Sequence, residues 1–207
     1  MKEWERFFSG KSPEKQKPKQ YVRNLVPLFR RRKVKRIFDL GCGAGRHMMY
    51  FAKKGFFVVG QDISTMGLAL AQQWFEQEKI SNYLLVNHDV TELPYPDGSF
   101  DAVISTSAIH HNKLKQINKA LSEVYRVMKK GGLLFVNLTA REAYLSGREI
   151  EKGTYVVRSG PEKGMVHHMF NEMEIRKTFS KFRILKLVKP TKEERHWLLL
   201  AEKTVYP

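Results

Sequence analysis

The sequence predicts a doubly wound α/β fold, a mostly parallel sheet with helices on both faces. Three observations carry that prediction. From residue 34 onward, short apolar runs alternate with longer amphipathic stretches, at the spacing of βαβ units. The first apolar run ends in a glycine cluster, Gly41-Cys42-Gly43-Ala44-Gly45, that leads directly into a helical pattern. The second run ends on an acid, Asp62. A length of 207 residues suits one domain, able to bury roughly 70% of its unfolded surface without disulfides. Hydrophobic residues at 42% and charged residues at 28% argue against disorder and fibrous repeats.

The elements follow in order. Tyr21, Val22, Leu25, Val26 and Phe29 fall at helical spacing across Pro27 and predict one helix over 21–29. Residues 34–40 read as a buried strand, and 46–54, stopped by Gly55, as a helix with a glycine cap. A second strand over 56–60 precedes Ser64, the N-cap of a helix running toward Glu78. Residues 83–87 make a third strand. The run Leu93-Pro94-Tyr95-Pro96-Asp97-Gly98-Ser99 is turn chemistry, and 100–106 a fourth strand. Leu114, Ile117, Leu121, Val124 and Met128 mark one helix face, ended by Gly131-Gly132, before a fifth strand over 133–138. Residues 139–170 read as a loop-rich insert. Asn171 to Glu174 offers a capping-box-like helix start, and 184–188 and 197–201 are the last two strands.

The longest apolar runs, such as 197–201, are about a quarter of a membrane span. The N-terminus has no apolar core and no small-residue cleavage site, so no secretory leader is expected. One cysteine, Cys42, has no internal partner, and a cytoplasmic location is the default. The net charge is +16, and residues 10–36 alone hold eleven Lys/Arg against one Glu. Such an arm suits phosphate, an anionic surface or an acidic substrate; the competing reading is a solubilising surface.

The glycine cluster lets the chain turn sharply at the strand end and bring its backbone against a ligand, while the helix start presents free N–H groups there. Asp62, 21 residues after Gly41, sits where a carboxylate accepts hydrogen bonds from two ribose hydroxyls. An adenosine-type ligand follows. The dinucleotide fingerprint is G-x-G-x-x-G, but the spacing here is G-x-G-x-G, with Asp39 two positions ahead.

In that respect the sequence resembles the class I S-adenosylmethionine-dependent methyltransferases, over residues 34 to about 203. Residues 39–45 look like the family's first motif and Asp62 like its ribose-binding acid. His88-Asp89-Val90 ends the third strand, where the family reads the adenine. Leu93-Pro94 with Asp97 to Asp101 matches the stretch leading into the fourth strand, and 121–132 the helix and turn before the fifth. The resemblance implies a Rossmann-like sheet of about seven strands, mostly parallel with an antiparallel last strand. It also implies a domain over 34–207, with residues 1–33 as a basic arm and helix packed on it and an acceptor-side insert at about 139–170.

The resemblance assigns roles residue by residue. Gly41 and Gly43 pass close to the methionine part of the cofactor, with Asp39 fixing the loop, either touching the ligand or only bracing. Asp62 holds the ribose hydroxyls and Ile63 lies beside the adenine. Asp89 takes the adenine amino group, and Val90 supplies a backbone N–H. Thr106 sits near the cofactor's amino group. Tyr21 is either a lid over the methionine end or a helix-packing aromatic.

Such chemistry is an in-line displacement from a sulfonium, in which positioning alone contributes ~7–11 kcal/mol. A base is needed only if the acceptor must lose a proton. His110 and His111 are the candidates, against a reading as local backbone-satisfying residues. His167 and His168 could line an acceptor pocket. No metal is expected, because adjacent histidines on an extended segment point to opposite faces and there is no thiolate cluster. Cys42 reads as a small packing residue.

The insert, with Tyr144, Tyr155, Arg141, Arg148, Arg158 and Lys163, suits a compact cap over a small-molecule pocket. RNA is the alternative acceptor, through the basic arm and through Ala108-Ile109-His110-His111, which resembles a turn of tRNA wobble-base methyltransferases. A third reading is a protein that holds the cofactor without transfer. Oligomeric state is not legible.

Overall fold

The computed structural model describes residues 2–12, 17–141 and 147–204; residues 13–16 of the leader and Tyr144 lie outside them. Five strands form the parallel body of the main sheet: β1 (Arg36–Leu40), β2 (Phe57–Asp62), β3 (Tyr83–Asn87), β4 (Phe100–Ser105) and β5 (Met128–Thr139). A separate three-stranded antiparallel sheet follows, β6 (Gly147–Glu151), β7 (Thr154–Val157) and β8 (Val166–His168). The chain then returns to the main sheet with β9 (Phe182–Val188) and β10 (His196–Lys203). The seven strands run in the order β3-β2-β1-β4-β5-β10-β9, and β10, the last in the chain, is antiparallel to both its neighbours. The strand order reverses between β1 and β4, which opens a crevice at the carboxyl ends of the strands there.

The helices are α1 (Lys2–Phe8), α2 (Gln20–Arg23), α3 (Val26–Arg31), α4 (Arg46–Lys53), α5 (Thr65–Gln77), α6 (Leu114–Val127) and α7 (Glu172–Thr178). They cover both sheet faces, because the central strands are apolar on both sides. On one face Phe38, Phe100, Val103 and Leu134 pack with Ile117, Leu121 and Val124 of α6. On the other, Ile37, Ile104 and Phe135 pack with Phe29, Phe51 and Phe75 from α3, α4 and α5. Each such fully buried side chain contributes roughly 1.5–3 kcal/mol. The alternation puts Asp39 on the face of Ile37, beneath the glycine loop rather than beside it.

Three expectations are corrected. The helix expected over 21–29 is two, with Asn24 and Leu25 as a turn between them. Pro27 lacks an N–H and is tolerated only in a helix's first turn, so the second helix starts afresh at Val26. The insert is not loop-rich: its strands are too short for periodicity to register, and Gly153, at φ +78°, turns β6 into β7. No element is expected before residue 21, yet Lys2–Phe8 fold as α1, whose apolar Trp4, Phe7 and Phe8 lie over the crevice.

Candidate active site

The loop after β1 folds back on β2, as the N–H groups of Gly41 and Cys42 both donate to the Gln61 carbonyl at 2.8 and 3.0 Å. Gly41 (φ +75°) and Gly43 (φ +54°) are left-handed, and neither position has room for a side chain. A Cβ on Gly41 would lie 2.2 Å from the Ala108 Cβ, and one on Gly43 2.7 Å from the Phe8 ring. The loop is therefore clasped between the turn after β4 and the roof made by α1.

Asp62 joins this loop to the next helix. Its Oδ2 accepts from the Gly43 N–H at 2.7 Å and its Oδ1 from the Ser64 N–H at 2.9 Å. Burial raises its pKa, opposed by those backbone hydrogen bonds. Ser64 caps α5 by accepting from the Gly67 N–H at 3.0 Å. Glu5 of α1 reaches the same helix end, accepting from Thr65 N–H at 2.8 Å and Met66 N–H at 3.0 Å. A carboxylate on free helix N–H groups is a favourable cap, so α1 is pinned over the crevice by its own acid.

Below that roof lies a cavity of about 630 Å³. Gly41, Gly43, Asp62 and Ile63 line it from β1 and β2, Asp89 and Val90 from the end of β3, and Thr106 from β4. Asp89 is exposed, and its Oδ1 accepts from the Thr91 N–H at 2.7 Å. Tyr21 and Asp39 stand outside the lining. The Tyr21 hydroxyl accepts from Asn137 Nδ2 at 3.1 Å, and its ring packs 5.7 Å from Phe135. Burial, with Glu194 adding, pushes that phenol up to about 12. Neither Asp39 oxygen has a hydrogen-bond partner among the described residues. Burial pushes its carboxyl up to about 7, with Arg46 opposing and Asp62 adding. Cys42 lines the cavity, but burial pushes its thiol well up, so it stays a protonated packing residue.

Sequence reasoning missed four lining or supporting positions. His47, in the first turn of α4, lies beside the cavity with Nδ1 2.8 Å from Thr106 Oγ1, while its Nε2 accepts from the Lys19 N–H at 3.4 Å. Burial, then Arg46 and Lys19, hold it down at about 3, so it is neutral. Arg46 and Lys19 put positive charge at that end of the cavity. Asn137 holds Ser107 in its left-handed conformation (φ +53°) by accepting from its N–H at 2.6 Å. A polar residue in an apolar strand, as in Leu133-Leu134-Phe135-Val136-Asn137-Leu138, was the available signal for Asn137.

The histidines converge more than their spacing implies. His110 and His111 lie in a turn, closed by the His111 N–H donating to the Ala108 carbonyl at 2.9 Å, so their rings are 4.5 Å apart. The opposite-face argument holds only for extended backbone, and it does hold in β8. There His168 turns to Thr154 Oγ1 (2.7 Å), while the His167 ring lies 4.1 Å from His111. His111 lines the cavity and His110 lies behind it. Burial, with neighbouring imidazoles adding, holds His111 at about 3 and His110 well below its usual value. Both are neutral and weakly basic.

Comparison with known proteins agrees with this geometry. Residues 38–136 match a family model described as a methyltransferase domain. The chain is 37% identical over 119 residues to the demethylmenaquinone methyltransferase of Thermus thermophilus, covering 56% of this chain and 53% of that protein. It is 34% identical over 105 residues to the 18S rRNA (guanine-N(7))-methyltransferase of Schizosaccharomyces pombe, covering 46% and 38%. The chain spans about half the length, or less, of the curated relatives it matches. A SAM-dependent methyltransferase structure from Methanosarcina mazei superposes with a TM-score of 0.75 at 21% identity, over 91% of this chain and 99% of that one. Sheet order and crevice define the class I S-adenosylmethionine-dependent methyltransferase fold. Over residues 38–136 the chain matches the methyltransferase-domain family, on the sheet of that fold class.

Proposed function

We propose that the protein transfers a methyl group from S-adenosylmethionine to a small-molecule acceptor. The site fits the cofactor on its own terms. Each Asp62 oxygen accepts one backbone bond and keeps a second lone pair, so the carboxylate can take both ribose hydroxyls while bracing the loop. Gly41 and Gly43 expose bare backbone beside the methionine part. Ile63, Asp89 and Val90 take the adenine, and Asp89 keeps Oδ2 for its amino group. Thr106, oriented by neutral His47, sits near the amino end, and Lys19 and Arg46 suit the carboxylate. Asp39 braces the loop from below and Tyr21 packs α2 on β5. The cofactor supplies a methyl group on a good leaving group, so the chain's task is to hold the acceptor in line. His111 is the candidate base that faces the cavity, and His110 supports it from behind.

The roof over the cavity carries the small-molecule reading. Trp4, Phe7 and Phe8 of α1 and Glu162 of the insert wall it, an enclosure of small-molecule size. The domain layout that goes with this reading has residues 1–33 as an arm packed on a 34–207 methyltransferase domain, with 139–170 on the acceptor side. Among the described residues no helix is long and apolar enough to cross a membrane, and the single buried cysteine suits the cytoplasm. The test is transfer of labelled methyl to a metabolite extract and, separately, to total RNA. Label in the metabolites supports the reading. Label in RNA transfers it to the nucleic-acid alternative, and bound cofactor with no transfer to either leaves a cofactor-binding protein.

A further inference from the structure

We propose that His110, His111 and His167 bind one divalent ion of the zinc class at the wall of this cavity. The position at the acceptor end rests on the methyltransferase reading; binding of the ion does not. One ring nitrogen from each histidine lies within 4.8 Å of the others. A tetrahedral ion with nitrogens at about 2.0–2.1 Å needs its donors about 3.3 Å apart, so the rings close by no more than about 1.5 Å. The tautomers are set for ligation. His110 Nδ1 faces the Asn137 carbonyl at 3.4 Å and His111 Nδ1 faces the Val166 carbonyl at 3.2 Å. A carbonyl on Nδ1–H leaves the lone pair on Nε2, which is how ligating histidines are usually oriented.

His167 is buried, and its Nδ1 has no hydrogen-bond partner among the described residues. Glu162 Oε2 lies 3.2 Å from its Nε2, a carboxylate placed to orient or join the ligand set. The backbone fixes the set in advance, because the His168 N–H donates to the His110 carbonyl at 2.7 Å and so clamps β8 onto the turn after β4. Three imidazoles without thiolates select zinc, cobalt, nickel or copper over magnesium or calcium. Three protein ligands leave a fourth position, and His111 and Glu162 place the cluster at the cavity wall; an ion bound there takes the His111 lone pair, so His111 can serve as a base only in the metal-free protein.

Cobalt(II) titrated into the metal-free full chain should give the visible bands of a tetrahedral site, saturating at one equivalent and displaced by zinc. His111→Asn and His167→Asn should each weaken binding by at least about 100-fold, while His88→Asn leaves it unchanged. A second readout needs no variant: ring-nitrogen NMR of the wild type should show zinc shifting His110, His111 and His167 but not His47, His88 or His168. No saturable site, equal affinity in the two cluster variants, or shifts confined to other histidines would overturn the proposal. Calorimetry with S-adenosylhomocysteine on the metal-free protein reads the cofactor site separately, so the two readings fail independently.

Discussion

Two carboxylates beside the same loop, Asp39 two residues before Gly41 and Asp62 bonded to Gly43, behave oppositely. Asp62 faces the crevice with backbone donors on both oxygens, whereas Asp39 is buried with none. Asp62→Ala should weaken S-adenosylhomocysteine binding at least about tenfold in calorimetry, in a protein that stays folded; unchanged affinity would refute the ribose assignment. Asp39 predicts a pH effect. Its carboxyl is raised from 3.8 to about 7, so the folded state favours the protonated acid. The contribution to stability is full below about pH 4, falls as pH rises toward 7, and is lost above. Asp39→Asn should therefore raise the melting temperature of the ligand-free protein at pH 8, by at least about 3 °C, with the gain vanishing near pH 4. The glycine loop and Asp62 are legible in sequence because a strand end fixes both locally. Tyr21 and His47 are not, because only the packing of α2 and α4 against β5 and β4 decides which side chain meets the cavity.

At the scale of elements, α1 is the part that the sequence conceals. Four of its seven residues are charged, yet Glu5 caps α5 and Phe8 seals the space above Gly43. Glu5→Ala should cost ~0.5–2 kcal/mol, read as a lower melting temperature, and should speed proteolytic loss of the first dozen residues. Gly41→Ala should be worse, because φ is +75° and Ala108 already occupies the space; cofactor binding should be lost. The strands of the main sheet are legible from apolar runs within a residue or two, except β5. It begins at Met128, five residues before the expected 133, because the chain leaves α6 at Val127 and runs extended through the Gly131-Gly132 pair expected to end the helix. The β6–β8 sheet is not, since strands of three to five residues give too few alternations to distinguish from loop. That sheet brings His167 and Glu162 to the cavity, so part of the site is hidden with it.

Across the whole molecule, the basic arm divides between the two edges of the sheet, with Lys19 at the cavity. Arg30 and Arg31 close α3 and residues 32–36 lead into β1, at the amino edge of the parallel strands, and there Arg32 pairs with Glu202 and Lys129 with Asp101. The cavity lies at the opposite edge, five residues of β1 away, or about 16 Å. That is about twice the screening length at physiological salt. Arg30→Gln with Arg31→Gln should thus leave cofactor affinity and transfer unchanged within about twofold; a large loss of transfer would indicate a polyanionic acceptor spanning both edges. A linear count of charge does not reveal this division, which only the fold direction sets.

The most direct measurement is a crystal structure with S-adenosylhomocysteine. Both ribose hydroxyls should lie within hydrogen-bond distance of the Asp62 carboxylate, under Trp4 and Phe8. The compound bound away from Asp62, or absent from this cavity at saturating concentration, would contradict the account.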